Sequence, residues 1–526
     1  MKSLLLALIS LLNFNLFFAQ NNIDISNYSF LDSEPSLAVN PANPNNIVAA
    51  WMRATSATQI TIACSSSSDG GATWTSALLM PHLWPSFTHA DVSLDFNATG
   101  TAYICYVDYK QNLDSGYVML SNSTDGGINW NAGHKVTSAL ESVDRPVDRP
   151  WVAVDRTSSA FNGRIYVVSK SMFSVPLPHY VWMKSSSDGG TTWTARKQID
   201  DSIPCKLVSN SMGVPAIGSD GSLYIGYASY NPAQNAFARL ICSKSTNGGA
   251  TFLPHVAGVF AANSAITDTL YQGSYIVSAN PTDLNNIIYT CTDARNGDPD
   301  ILSFHSNDGA LTWNTTPIRV NDDAIGNGIG QDMCWAGFSP GGTYVTTWRD
   351  RRNGGNTSKS DFELFAAAST DKGLSFSANC KISSAKSPSI NLRRGNDFLG
   401  VALTNSYIYT DWSDMRTGNT EIFTQKTALT SILSVQGISE NKLNLQCYPN
   451  PNNGKLNIKL DLPKTARIDI QFFDMRGKLV KSLPSMAGNA GSNDIPLDVS
   501  KLPAGQYVLK VMSEEVGSEA IFEKAN

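Results

Sequence analysis

The chain has little charge, few cations and no long apolar run after its first residues. Only 16% of its 526 residues are Asp, Glu, Lys or Arg, and its net charge is −5. A phosphate-backbone binder needs a basic surface, so nucleic acid is not an expected partner. Beyond residue 20 no stretch is long and apolar enough to span a bilayer, so no transmembrane span is expected in the mature chain. There is no CxxC among the 8 cysteines, which argues against a zinc or thioredoxin-type site. P-loop, HExxH, Ser/His/Asp hydrolase and dinucleotide motifs are also lacking. Asp322, Asp323, Asn327 and Asp332 put oxygen donors in one Gly-rich loop, but without the spacing of a calcium loop. No cofactor and no metal is therefore assigned.

What is present is turn chemistry: 39 Gly, 24 Pro and 10% aromatic residues. These suit an all-β protein with many tight connections. Residues 1–20 combine Lys2, an apolar stretch and Phe18-Ala19-Gln20 before polar Asn21. This is the pattern of a secretory signal peptide. For an exported chain, two readings of the cysteines stay open: buried free thiols, or one or two disulfides.

The eight-residue box Ser67-Ser68-Asp69-Gly70-Gly71-Ala72-Thr73-Trp74 recurs five times, as STDGGINW, SSDGGTTW, STNGGATF, SNDGALTW and STDKGLSF. Its Asx position falls at Asp69, Asp125, Asp188, Asn247, Asp308 and Asp371, and its aromatic at Trp74, Trp130, Trp193, Phe252, Trp313 and Phe376. A near-constant period of roughly 60 residues marks a repeat architecture. Each box follows a third short strand pattern and precedes a fourth, so it reads as a hairpin turn. The Ser and Asx side chains accept backbone N–H groups, the glycines take positive φ, and the aromatic plugs the space beside the strands. These twelve positions are therefore assigned a structural role.

Seven two-strand openings accompany the six boxes. The last unit runs out after Glu421 to Lys426, and Ile23 to Ser26 has the pattern to supply its missing strand. The expected architecture is a seven-bladed β-propeller over residues 22–427, with six blades as the alternative. A linker follows over 428–442. Residues 443–526 change to short alternating strands that suggest a small Ig-like β-sandwich.

Two resemblances follow from these motifs. The six boxes resemble those of the Asp-box (BNR-repeat) propellers, which include the sialidases. That resemblance implies structural boxes and an active or binding face on the opposite side. A catalytic sialidase would also show an early Arg-Ile-Pro, three arginines spread over the blades and a Tyr–Glu nucleophile pair. The chain has no Arg-Ile-Pro. The second resemblance lies in Tyr448-Pro449-Asn450-Pro451, Phe473-Asp474-Met475-Arg476-Gly477-Lys478 and Leu497 to Lys510, which are similar to type A sorting domains of the Bacteroidetes type IX secretion system. That implies the type IX machinery as partner, and release or display at the outer cell surface.

On the face opposite the boxes, two loop sets converge. Second-to-third-strand loops repeat an Asp-x-Arg pattern at Asp293/Arg295, Asp350/Arg352 and Asp414/Arg416. An Asp–Arg pair of this kind either binds a carboxylate or sugar hydroxyls or closes its own loop. Loops entering the first strands bring Glu34, His89, Asp91, Asp148, Arg149, Gln272, Asp332 and Asp397 toward the axis. The eight candidate ligand residues are Asp148, Arg149 and the three Asp–Arg pairs. Recognition of an extracellular glycan or protein is the expected function. The alternative is a sialidase-like glycoside hydrolase that uses rim carboxylates as acid and base.

Overall fold

A computed structural model describes residues 22–525 apart from 143–144, 173–177, 206–211, 232, 234–236, 262–273, 356, 358–359, 389–397, 434–442, 463, 475–478 and 514–516. The signal-peptide reading of 1–20 lies outside the described residues, as do Gln272, Asp397 and residues 434–442 of the expected linker. The described chain is almost entirely β and divides at Leu433 into two compact units.

The first unit contains seven antiparallel sheets, numbered here 1 to 7 along the chain. Their first strands are Asp32–Val39, Phe87–Phe96, Arg145–Val154, Val214–Ile217, Tyr275–Ala279, Gln331–Phe338 and Gly400–Leu403. Each first strand packs against that of the next sheet, and the seventh returns to the first, so the circuit is closed. This is a β-propeller. Ile23–Asp24 pairs with Glu421–Ala428 and completes sheet 7 from the N-terminal side. A ring closed by both chain ends has no seam held by side chains alone.

Strands such as Ile47–Ala54 and Tyr344–Asp350 are buried at every position. A sheet covered on both faces by its neighbours has no solvent side, so strict alternation disappears. The boxes supply part of that covering. In all six, the Ser hydroxyl donates to the Asx side chain and accepts the N–H four residues on. The Asx oxygen in turn accepts a second N–H four residues beyond it. Each second box glycine also lies against the preceding sheet. A Cβ on Gly127 would fall 2.6 Å from Val48 Cγ2, and one on Gly249 2.6 Å from Met183 Cε. Hairpins of one sheet donate to the next box, as in Asn46 Nδ2 to the Gly126 carbonyl at 2.9 Å and Asn286 Nδ2 to the Lys372 carbonyl at 3.1 Å. The box is thus an inter-sheet latch as well as a turn. Ala310 and Lys372, which replace glycines, keep φ of 71° and 68°, a strain of roughly 1 kcal/mol each.

Where a linker is expected, Leu429–Leu433 forms one helical turn, with Leu429 and Ile432 buried against the first unit. The second unit has one sheet of Gln446–Tyr448, Lys455–Leu462 and Gly491–Asp498. Its other sheet is built on Ala466–Asp474, Gly505–Ser513 and Gly517–Lys524. Here Lys455–Leu462 alternates cleanly, with Leu456, Ile458, Leu460 and Leu462 inward. One core shared by two sheets is a β-sandwich.

Candidate functional site at the mouth of the propeller axis

Opposite the boxes, the first strands of sheets 1, 2, 3 and 6 each carry a bulge. At each bulge one non-glycine residue adopts the left-handed region: Glu34 (φ 51°), Asp91 (48°), Arg149 (50°) and Met333 (51°). Such residues cost about 1–3 kcal/mol each and persist only where surrounding structure enforces them. Three of the four lie on consecutive sheets and carry charged side chains.

The carboxyl groups of Asp91 and Asp148 lie close enough to perturb each other's ionisation. Burial, then the charge of Asp148, pushes Asp91 well above the usual carboxylate range. Burial also opposes ionisation of Asp148, but the Lys170 charge, the neighbouring Asp91 carboxyl and the Arg149 guanidinium overcome it and hold it below the usual carboxylate range. Lys170 Nζ lies 3.3 Å from Asp148 Oδ2, and burial lowers its own pKa. The Arg149 N–H donates to Asp91 Oδ2 at 3.1 Å, while its guanidinium lies 5.1 Å from the Phe398 ring centre. Tyr109 stands close enough for Asp91, Asp148 and Glu34 to help burial raise its pKa. The result is an acid pair whose ionisations oppose each other, flanked by two cations and a phenol. Lys170 and Tyr109 end second strands, and no local motif marks them in the sequence.

The three Asp–Arg pairs are arranged differently. Arg295 donates to Asp293 at 3.1 and 3.0 Å and to the Val259 carbonyl. Arg352 donates to Asp350 at 2.9 Å and to Asp322 at 2.7 Å. Arg416 donates to Asp414 at 3.0 and 2.6 Å and to Asn22. Each Asp also accepts its own Arg backbone N–H at 2.8 Å, and each guanidinium lies over a third-strand Phe: Phe304, Phe365 or Phe423. Arg295, Arg352 and Arg416 therefore close their own loops. They do not converge on one ligand carboxylate.

Asp332 is likewise taken, held by Arg349 and Arg351 through four hydrogen bonds. His82, His89 and Asp108 bring three ligand-type atoms within 4.8 Å of one another. However, His89 Nδ1 accepts the Ile62 N–H at 2.9 Å, so the neutral ring carries its proton on Nε2, which faces Asp108 Oδ1 at 3.5 Å. A metal would need that Nε2 lone pair. The cluster is a carboxylate–imidazole network. All eight cysteines are free thiols, six of them buried, so the disulfide reading is not the one observed.

Residues 446–520 match the family model of the secretion system C-terminal sorting domain. The chain carries a type IX sorting tail. That tail indicates export, to the medium or the cell surface. No helix among the described residues is long and apolar enough to cross a membrane. No curated protein matches the chain. Among solved structures, the chain is similar to an α-L-arabinanase from Penicillium chrysogenum in complex with arabinobiose, at 12% identity and a TM-score of 0.45, over 78% of this chain and 99% of that one. It is also similar to a Hadza microbial sialidase at 13% identity and 0.44, over 72% and 75%. A protein of unknown function from Dyadobacter fermentans is similar at 14% and 0.42, over 77% and 97%.

Proposed function

We propose that this is an exported Asp-box propeller of seven blades that recognises an extracellular glycan or protein at the axis mouth opposite the boxes. The observation that carries the reading is the strained Arg149, whose N–H donates to Asp91 at 3.1 Å beside an Asp148 paired with Lys170 at 3.3 Å. Strained backbone and a perturbed acid pair at the convergence of loops are features of binding and reaction sites. A neutral carboxyl, a carboxylate and a guanidinium on a rigid rim suit hydroxyl and amide groups, which both donate and accept.

A sialidase-like hydrolase is the second reading, favoured by the same pair, since a protonated and an ionised carboxyl are the acid and base such chemistry needs. Two features weigh against it. The base of such a hydrolase must reach water or the sugar, whereas Asp148 is already paired with Lys170 Nζ at 3.3 Å. Of the candidate arginines that could hold an acidic sugar, Arg295, Arg352 and Arg416 close their own loops, which leaves Arg149 alone at the mouth.

The test offers the full chain to a panel of aryl glycosides and to a glycan and matrix-protein array. Retention on the array without fluorophore release supports recognition. Release from an aryl sialoside or arabinoside, abolished in Asp91→Asn, favours the hydrolase. Neither retention nor release by a folded chain sinks both.

A further inference from the structure

The opposite end of the axis holds a cavity of about 560 Å³. Its walls are the later halves of the seven first strands, with Leu37, Val154, Ile217, Phe338 and Leu403 among the side chains. Its mouth is formed by the hairpins after those strands, which lie beside the boxes. Its floor is aromatic: Trp151 of sheet 3 and Trp335 of sheet 6 meet across the axis at 4.9 Å, and Phe398 lies edge-on to Trp151 at 5.2 Å. One aromatic layer thus separates this cavity from Arg149, which lies on Phe398.

Among the described residues the mouth carries one cation, Arg156. Its Nη2 lies 3.1 Å from Asp95 Oδ1, and its side chain keeps 44% exposure. The other Asp95 oxygen accepts the Val154 N–H at 2.8 Å, while Oδ1 also accepts the Phe96 N–H at 2.8 Å. Asp95 is therefore anchored in the wall, and the Arg156 side chain that lines the mouth keeps 44% exposure. Walls that mix apolar side chains with strand backbone, an aromatic floor and a cation at the entrance suit a small amphipathic molecule, and the volume falls within the usual range of about 300–1,000 Å³ for ligand sites.

We propose that this cavity is a second binding site, independent of the axis-mouth reading, for a small amphipathic anion. The ligand is an aromatic or aliphatic carboxylate or sulfonate that lays its apolar body against Trp151 and Trp335 and its anionic group on Arg156. A charge-assisted contact to a guanidinium outweighs a neutral one, so the anionic group adds affinity beyond that of the apolar body.

The test titrates the full chain with 8-anilino-1-naphthalenesulfonate, following energy transfer from tryptophan, and then displaces the probe with decanoate. The expected result is saturable binding of one equivalent, displaced by decanoate. Arg156→Gln should weaken both ligands by about tenfold while leaving decanol unchanged. Ala279→Phe, which fills the wall, should abolish binding, and Arg149→Ala at the other end should not affect it. A wild-type chain with no saturable binding overturns the proposal. So does binding that survives both Arg156→Gln and Ala279→Phe, because the probe then sits on the outer surface.

Discussion

At the box end of the axis the first strands present Leu37, Val154, Ile217 and Leu403, their backbone is regular, and among the described residues a single cation, Arg156, marks the rim. At the other end the same strands bulge, turn Glu34, Asp91 and Arg149 into the left-handed region, and gather two carboxyl groups, Lys170 and Tyr109. The strain on the two faces also differs in what surrounds it. Ala310 and Lys372 sit in box turns whose hydrogen bonds repeat in every copy. Arg149 sits beside an acid pair with no counterpart elsewhere among the described residues. Repetition therefore marks what the ring needs in order to close, and departure from repetition marks where a ligand is to be sought.

The largest effect should come from the latch. In Gly127→Val the new side chain meets Val48 at a backbone φ of 92°. The expected loss is several kcal/mol, read as a fall in the urea midpoint. A wild-type midpoint would break the account of the box as an inter-sheet contact.

Next is the buried Asp411, which burial raises to about 8 even though the Gly400 N–H and its own N–H favour the charged form. A raised folded pKa means the native state holds the proton, so stability is full below the unfolded value and falls as pH rises through about 8. Asp411→Asn should remove that alkaline loss, on the order of a few kcal/mol between pH 5 and 9. The box acid Asp188 behaves oppositely. The Thr192 hydroxyl, then the Thr192 N–H, hold it at about 2, below its ordinary 3.8, so its contribution is present above pH 3.8 and lost as pH falls toward 2. A variant as alkali-labile as wild type would contradict the first assignment.

Smaller effects separate the two faces. Lys372→Gly relieves left-handed strain and gives up an exposed ion pair to Asp283. It should gain about 0.5 kcal/mol with ligand retention unchanged. Arg416→Ala opens one Asp–Arg loop. It should cost about 1 kcal/mol and leave retention within about twofold. Retention lost in Arg416→Ala alone would return the Asp–Arg loops to the ligand site.

The propeller was legible because it repeats: the boxes fix the strand order, and Ile23 to Ser26 has the pattern of the strand sheet 7 lacks. The sandwich was legible from alternation in Lys455–Leu462. The site was legible only in part. Asp91, Asp148 and Arg149 stand where polar rim residues are expected, but their coupling depends on Lys170, Tyr109 and Phe398, which come from other strands and segments. The Asp–Arg loops looked like a ligand face, since the same residues that fork onto a carboxylate also fork onto their own Asp. The axial cavity leaves no trace in sequence, because its walls are the buried strands of any closed ring.

The most direct measurement compares retention of wild type, Lys372→Gly and Arg149→Ala on the same glycan and matrix-protein array, each first shown to be folded. The account predicts one ligand class held by wild type and Lys372→Gly and lost by Arg149→Ala. Undiminished retention by Arg149→Ala, or its loss in Lys372→Gly, would contradict it.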